Sequence, residues 1–287
     1  MSRIARINGK FYDRGTSNTS FLQVAKDLKT VGIKNCYFML EIKDYSLVNI
    51  NPHECDKQGH TTLSESKIQR IMLECALNPW YFLREVVRIP DQGGVSVPYK
   101  ANRGNIAQAW CIQQGIDSWL CLTRQQGKTV SALAFFVWVY LFGTTNSKFI
   151  FVNKDGENAK NNLRIVYDII QLLPEYMRCE SLLEEDGKRT KAKQNATEMW
   201  NPVSNNRIII KPKATSYDNA LSLARGLTAP ILHFDEPEFT NHIGTIVKNS
   251  VSTFETAAAN AKANNAIYAR VFTCTPRISG RDNRNVA

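Results

Sequence analysis

The feature that most constrains the fold is a Gly-Lys-Thr triplet at residues 127–129, placed between two apolar segments. Trp119 to Leu122 is typical of a buried strand, and Val130 to Phe142 is typical of a buried helix. Such a turn lets backbone N–H groups surround phosphate oxygens, with the lysine near the β- and γ-phosphate charge and the hydroxyl near Mg²⁺. Leu122 stands where the usual first glycine of this pattern would be, so a surface turn is the alternative interpretation.

A second signal comes about a hundred residues later. Ile231 to Phe234 reads as a buried strand, and it is followed directly by Asp235 and Glu236. In nucleotide-hydrolysing P-loop proteins, an aspartate at a strand end holds the Mg²⁺ shell, and a following glutamate can activate water. A helix N-terminus that favours negative charge is the alternative, but the upstream Lys128 makes it the weaker one.

A third signal is the segment Val271 to Pro276, which reads as a short strand ending in Thr273, Cys274 and Thr275. The carboxyl ends of parallel strands face one crevice, so these threonines are placed to sense a γ-phosphate. An ordinary strand with a threonine-rich end is the alternative, and it would be preferred if this segment stood alone.

The remaining pattern alternates strands with helices, which predicts an α/β fold with a largely parallel sheet. Strands are predicted at Asn35–Ile42, Val95–Tyr99, Lys148–Asn153 and Arg207–Lys211, and helices at Phe21–Leu28, Thr62–Leu77, Trp80–Val87, Asn105–Gln114 and Gly156–Leu173. Asp91 to Gly94 is predicted to be a turn, and residues 178–200 a polar surface loop. We expect a lead-in at residues 1–75 and an ATPase domain at 76–287.

Composition narrows the partners. The 287 residues carry a net charge of +10, which favours a polyanion such as nucleic acid as the partner. Seven dispersed cysteines without a C-x-x-C pair indicate reduced thiols. His53, Cys55 and His60 fit no zinc spacing, and no apolar run is long enough to span a bilayer.

From Asn78 onward, the ordered set of motifs resembles the N-terminal ATPase domain of the large terminase subunit of tailed bacteriophages. The resemblance rests on Arg124-Gln125-Gln126 before the triplet, on Ala224-Arg225-Gly226 before the Asp-Glu strand, and on the final Thr-Cys-Thr-Pro. Leu172-Leu173-Pro174 and the Asn-Pro-Trp-Tyr-Phe-Leu segment at 78–83 add to it. No single motif is decisive, whereas their order is fairly specific.

The resemblance implies a P-loop NTPase fold of the RecA/ASCE type that uses ATP and Mg²⁺, and it implies a role for each motif residue. The implied ATP-binding residues are Tyr99, Gln108, Arg124, Gln125, Gln126, Gly127, Lys128 and Thr129; the metal ligands Thr129 and Asp235; the catalytic residues Arg124, Arg225 and Glu236; and the coupling residues Thr273, Cys274 and Thr275. Arg225 would reach a neighbouring subunit's site, with a surface arginine as the alternative. Asn102 or Asn105 could replace Gln108 at the base.

The function implied by the resemblance is ATP hydrolysis that drives double-stranded DNA into a viral prohead. The implied partners are DNA, further copies in a pentameric ring, the portal protein and the small terminase subunit, in the host cytoplasm and without a membrane. A helicase-like remodelling ATPase and a non-enzymatic nucleotide-dependent module remain alternatives. Residues 277–287 are too few for the nuclease domain that large terminases carry, so we expect no nuclease activity from this chain.

Overall fold

The protein is represented by a computed structural model that describes residues 3–91, 95–183, 188–211 and 214–276. Fourteen strands occur in this part of the chain, and all are short: β1 Ile4–Ile7, β2 Lys10–Asp13, β3 Glu41–Ile42, β4 Arg88–Pro90, β5 Ser96–Pro98, β6 Ser118–Cys121, β7 Lys148–Asn153, β8 Ser181–Leu183, β9 Arg189–Lys191, β10 Lys193–Gln194, β11 Glu198–Asn201, β12 Asn206–Lys211, β13 Ile231–Asp235 and β14 Ala269–Cys274.

Helices alternate with these strands in the second half of the chain. They are α1 Thr19–Thr30, α2 Glu65–Leu77, α3 Pro79–Tyr81, α4 Arg103–Gln113, α5 Lys128–Trp138, α6 Gly156–Gln171, α7 Tyr217–Arg225 and α8 Ile243–Ala263. Two π-helical turns, Phe82–Val86 and Val139–Gly143, extend α3 and α5, and single 3₁₀ turns cover Phe38–Leu40, Tyr45–Leu47, Glu175–Met177 and Pro237–Phe239.

Seven strands form the main sheet in the order β10-β11-β12-β7-β13-β14-β6. The five strands from β12 to β6 are parallel, and β10 and β11 extend the sheet with antiparallel pairing. Strands β1, β2 and β3 form a separate antiparallel sheet at the start of the chain. The prediction of a mainly parallel α/β sheet flanked by helices, with an N-terminal lead-in, is therefore confirmed.

Helix α5 is the central helix of the core. Nearly every side chain from Ser131 to Trp138 is buried, which is the pattern of a helix covered on all sides. Phe136 packs on Phe149 and Phe151 of β7, and Phe135 packs on Trp80 from the start of the chain. One hydrophobic cluster thus joins the lead-in to the parallel sheet, and the domain boundary at residue 75 stays a prediction.

Two predicted elements are wrong. The strand expected at Asn35–Ile42 is mostly a 3₁₀ turn at Phe38–Leu40, followed by the two-residue β3. Its apolar residues Met39 and Leu40 are buried by packing, so burial rather than strand pairing explains the hydrophobic run. The polar loop expected at 178–200 contains β8 to β11; in β11, Met199 and Asn201 alternate with more exposed residues, which is strand periodicity.

The turn predicted at Asp91 to Gly94 lies mostly outside the described residues, as does the segment 277–287. Across the part of the chain that the structure describes, none of the helices has the length and apolar character needed to cross a bilayer.

Candidate nucleotide-binding site

The Gly-Lys-Thr triplet lies in a turn between a strand and a helix, as predicted. Strand β6 ends at Cys121 and α5 begins at Lys128, so residues 122–127 form the loop between them. Gly127 has a φ of 67°, a left-handed conformation that glycine adopts without strain, and it places the first N–H groups of α5 at the open end of the loop. The side-chain amides of Asn102 and Asn105 donate to the Gln126 carbonyl at 3.1 and 3.5 Å, which ties the loop to α4.

The P-loop lysine contacts the third predicted motif directly. Lys128 is buried, and its Nζ donates to Thr275 Oγ1 at 2.8 Å. A buried ammonium without a facing carboxylate is costly, so a polyanion brought to this position would gain a strong partner. The lysine therefore links the loop to the end of β14.

Asp235 is the centre of the site. Parallel pairing sets Asp235 beside Asn153 at the end of β7 and beside Thr273 in β14. Its Oδ1 accepts hydrogen bonds from Thr129 Oγ1 at 2.9 Å and from Thr273 Oγ1 at 2.6 Å. Its Oδ2 accepts from the amides of Asn162 at 3.0 Å and Asn153 at 3.3 Å.

These hydrogen bonds decide the charge state of the aspartate. Burial acts to raise the pKa of Asp235, but the bonds from Thr273, Asn162 and Thr129 favour the carboxylate, and the pKa is lowered overall. His233 also faces this cluster, yet burial lowers the pKa of its own ring and keeps it neutral, so the hydrogen bonds account for the lowered pKa of Asp235. Asp235 is therefore a buried anion held by four neutral donors.

Thr273 joins this cluster to the interior of the sheet. It is fully buried, and its hydroxyl receives a hydrogen bond from His233 Nε2 at 3.0 Å while it donates to Asp235. The ring nitrogen Nδ1 of His233 has no hydrogen-bond partner among the described residues. The chain His233–Thr273–Asp235 thus fixes the orientation of the carboxylate from behind.

Glu236 lies beside Asp235 in a left-handed backbone conformation, with a φ of 49°. Its carboxylate forms an ion pair with Lys154, whose Nζ lies 2.6 Å from Oε2. The hydrogen bond with Glu236 raises the pKa of Lys154. Two consecutive residues at the end of β7, Asn153 and Lys154, therefore contact the two consecutive acids at the end of β13.

Glu238 is a third acid of the site that the sequence analysis did not single out. Its Oε1 accepts a hydrogen bond from the backbone N–H of Thr275 at 3.0 Å, and its Oε2 is buried without a partner among the described residues. Cys274, between the two threonines, is buried and its Sγ accepts from Trp119 Nε1 at 2.9 Å. The segment 273–275 is thus held at every residue.

Two predicted base-contacting residues lie in the interior. Tyr99 is only 2% exposed, its ring packs against Phe21, and its hydroxyl donates to Ser131 Oγ at 3.0 Å. This ring offers no exposed face to a base, so the arrangement does not favour the predicted stacking. Gln108 is also buried, and neither atom of its amide has a partner among the described residues. Asn102 and Asn105 instead contact the P-loop carbonyl.

The two predicted arginines are exposed and apart from the Asp235 cluster. Arg124 and Gln125 lie in the P-loop, where Gln125 has a φ of 64°, and both side chains are exposed. Arg225 occupies the last turn of α7, just before the chain enters β13, and is exposed. Among the described residues, no hydrogen bond or ion pair joins Arg225 to Lys128, Asp235 or Glu236.

The donor set at the centre of the site fits a magnesium ion. Mg²⁺ prefers oxygen ligands and is usually held by one or two protein groups together with phosphates and water. The hydroxyl of Thr129 and the carboxylate of Asp235, 2.9 Å apart, supply this kind of donor next to the buried cation of Lys128. Fold and site together define an α/β domain of the P-loop NTPase class.

Comparison with known proteins adds fold likeness only. No protein-family model and no curated protein matches the chain. Three solved structures are similar: a large terminase from a thermophilic bacteriophage (12% identity, TM-score 0.42, 61% of this chain and 39% of that chain), the large terminase ATPase domain of Thermus phage P74-26 (16%, 0.41, 67% and 72%) and the HK97 bacteriophage large terminase (12%, 0.38, 62% and 33%).

The chain thus spans 39% of the thermophilic bacteriophage protein and 33% of the HK97 protein. At TM-scores this low, the likeness carries no argument about activity, partners or individual residues.

Proposed function

We propose that this chain is the ATP-hydrolysing part of a motor that moves double-stranded DNA into a viral prohead. One observation carries the proposal: the P-loop contacts both strand-end motifs at once, through Lys128 to Thr275 and through Thr129 to Asp235. A phosphate-binding loop, a metal-binding carboxylate and a hydroxyl-rich third strand end are the parts that coupled ATP hydrolysis needs.

The proposal gives each of these residues a task. Lys128 holds the β- and γ-phosphates, and Thr129 with Asp235 holds Mg²⁺, which neutralises charge on the phosphate oxygens when bound. Glu236 orients and deprotonates the attacking water. For this, its carboxylate has to exchange the partner that it has here, Lys154, for that water.

Phosphate binding would then change the contacts of the third strand end. Lys128 cannot donate fully to both a phosphate and Thr275, so nucleotide binding weakens the bond to the Thr275 hydroxyl. Thr275 remains bonded to Glu238 through its backbone N–H. We propose that this exchange of partners at residues 273–275 carries the state of the nucleotide to the DNA-gripping surface.

The partners follow from charge and from the exposed arginine. A net charge of +10 suits a protein that grips DNA through its phosphates without reading bases, so DNA binding should weaken steeply with salt. Arg225 is exposed and apart from its own site, which suits a residue that completes the site of the next subunit in a ring. The portal protein and the small terminase subunit would be the further partners, in the host cytoplasm.

The first test is the ATPase rate per molecule with Mg²⁺ as a function of protein concentration. Lys128→Ala serves as the blank, and Lys160→Ala, an exposed lysine on α6, is the matched control for charge. We expect a rate that climbs with concentration and with added duplex DNA in the wild type and in Lys160→Ala. A rate no higher than the blank would refute ATP hydrolysis. A rate that is flat but above the blank would refute the ring and favour the helicase-like alternative.

A further inference from the structure

A polar cavity of about 730 Å³ lies between the lead-in and the parallel-sheet domain. It is lined by residues from segments 15–23, 48–53 and 84–88, together with Arg3, Pro98 and Lys100. Its volume falls in the range of ligand-binding clefts, about 300–1,000 Å³. None of its lining residues belongs to the P-loop, so it is a separate site.

Four cationic side chains line this cavity, and only two of them are neutralised. Arg3 forms a two-pronged ion pair with the buried Asp13, with contacts of 2.9 and 2.8 Å. Arg84 Nε donates to Glu85 Oε1 at 2.7 Å. Among the described residues, Glu85 is the one carboxylate that lines the cavity.

The other two cations have no acidic partner in the described part of the chain. Arg88 donates to the side chain and the carbonyl of Ser96, at 3.1 and 3.3 Å, and both of these acceptors are uncharged. Lys100 is exposed and makes no ion pair there. The wall of the cavity therefore carries two uncompensated positive charges.

Arg84 also contributes a donor without an acceptor. Its side chain is fully buried, and its Nη1 is hydrogen-bonded to the Met39 carbonyl. Its Nη2 is buried without a hydrogen-bond partner among the described residues. An unsatisfied buried guanidinium N–H costs free energy, and an anionic oxygen in the cavity would remove that cost.

The N-terminus of α1 adds backbone donors to the same wall. Residues Thr19 and Ser20 of its first turn line the cavity, and no acidic residue occupies that turn. The N-cap residue Asn18 does not cap the helix, because its side-chain amide donates to the carbonyls of Arg84 and Tyr99 instead. A helix N-terminus with open N–H groups attracts anions, and phosphate in particular.

We propose that this cavity is a binding site for a phosphate group, held by Arg84, Arg88, Lys100 and the N-terminus of α1. Arginine forks and backbone N–H groups match the several oxygens of a phosphate, and two uncompensated charges match a phosphate dianion. The phosphate could come from the DNA backbone or from a small phosphate-bearing molecule. The site does not depend on ATP hydrolysis at the P-loop.

The test uses the full chain carrying Lys128→Ala, which removes phosphate binding at the P-loop. Inorganic phosphate is titrated by calorimetry at low ionic strength into this protein, into the same protein with Arg88→Gln and Lys100→Gln, and into a control with Lys26→Gln and Lys29→Gln. The control removes the same charge from exposed positions of α1 outside the cavity. Arg88 and Lys100 are not buried, so their substitution should leave the fold intact.

We expect phosphate to bind, and its affinity to fall about tenfold or more in the cavity variant, since hydrogen bonds between charged groups are lost. The control should keep the affinity of its parent. Absence of phosphate binding, or an equal loss in the control, would overturn the proposal. If a fluorescein-labelled DNA duplex displaces phosphate, the natural ligand is a backbone phosphate; if it does not, the ligand is a small phosphate-bearing molecule.

Discussion

Replacing Thr273 by valine should destabilise the protein far more than an average threonine substitution. Valine has nearly the same shape, so no cavity is created and only the hydroxyl is lost. That hydroxyl is fully buried and serves two partners, donating to Asp235 at 2.6 Å and accepting from His233 at 3.0 Å. The change therefore probes the hydrogen-bond chain behind the candidate metal ligand.

The size of the effect follows from what each partner loses. His233 would keep a buried N–H without an acceptor, which costs about 1–3 kcal/mol, because its other nitrogen already has no partner. Asp235 would lose one charge-assisted hydrogen bond, worth about 1.5–3 kcal/mol, but would retain three other donors. We expect the free energy of unfolding to fall by about 3 kcal/mol.

Urea denaturation followed by circular dichroism measures this quantity directly. Thr273→Ser keeps the hydroxyl and should recover much of the loss. Thr256→Val is the matched control, because Thr256 is exposed on α8 and its hydroxyl bonds only to the Ser252 carbonyl; its effect should be within about 0.5 kcal/mol. His233→Phe added to Thr273→Val removes the unpaired N–H, so the two changes together should cost less than their sum.

The reasoning fails if Thr273→Val is no more destabilising than Thr256→Val. It also fails if the double variant with His233→Phe is as unstable as the sum of the two single variants. Either result would mean that the hydroxyl of Thr273 does not connect His233 to Asp235 in solution.

Three further predictions concern activity and pH. Glu236→Gln should bind nucleotide as the wild type does but stop hydrolysis, and comparable turnover in a phosphate-release assay would remove Glu236 from the proposed role. Arg225→Ala and Lys128→Ala should each be inactive alone, yet an equal mixture should recover about one quarter of the wild-type ATPase rate if the arginine acts in a neighbouring subunit of a ring; no recovery would argue against that. Burial lowers the pKa of His233 and of His53, so between pH 7 and 5 the unfolded chain binds protons that the folded protein does not. The free energy of unfolding should therefore fall on acidification, by up to about 1.4 kcal/mol per pH unit for each histidine. His233→Phe should reduce this slope, and an unchanged slope would show that His233 is not kept neutral.

The strand ends of the site were predictable from sequence because one rule governs them. Parallel strands present their carboxyl ends at one edge, so an acid after β13 and hydroxyls at the end of β14 had to lie near the P-loop. The same rule would have found Asn153 and Lys154 at the end of β7, since that strand was predicted with the correct bounds. They were missed because neither residue belongs to a familiar motif.

Other parts depended on packing that no local pattern encodes. Asn162 contacts Asp235 from α6, and its position depends on how that helix rotates against the sheet. Tyr99 looked available to a base, but Phe21 from the lead-in covers it, and that contact joins residues far apart in sequence. The cavity at α1 is likewise built from segments that meet only in the folded chain.

The left-handed backbone at Glu236 has a consequence for natural and laboratory variation at this position. A non-glycine residue there is tolerated only when its side chain is compatible with a positive φ, which β-branched residues are not. Asparagine, aspartate and glycine should thus preserve expression while abolishing turnover, whereas valine or isoleucine should reduce the amount of folded protein itself. Sequence drift at residue 236 is filtered twice, by geometry before chemistry, and a mutational scan scored on activity alone would merge the two filters.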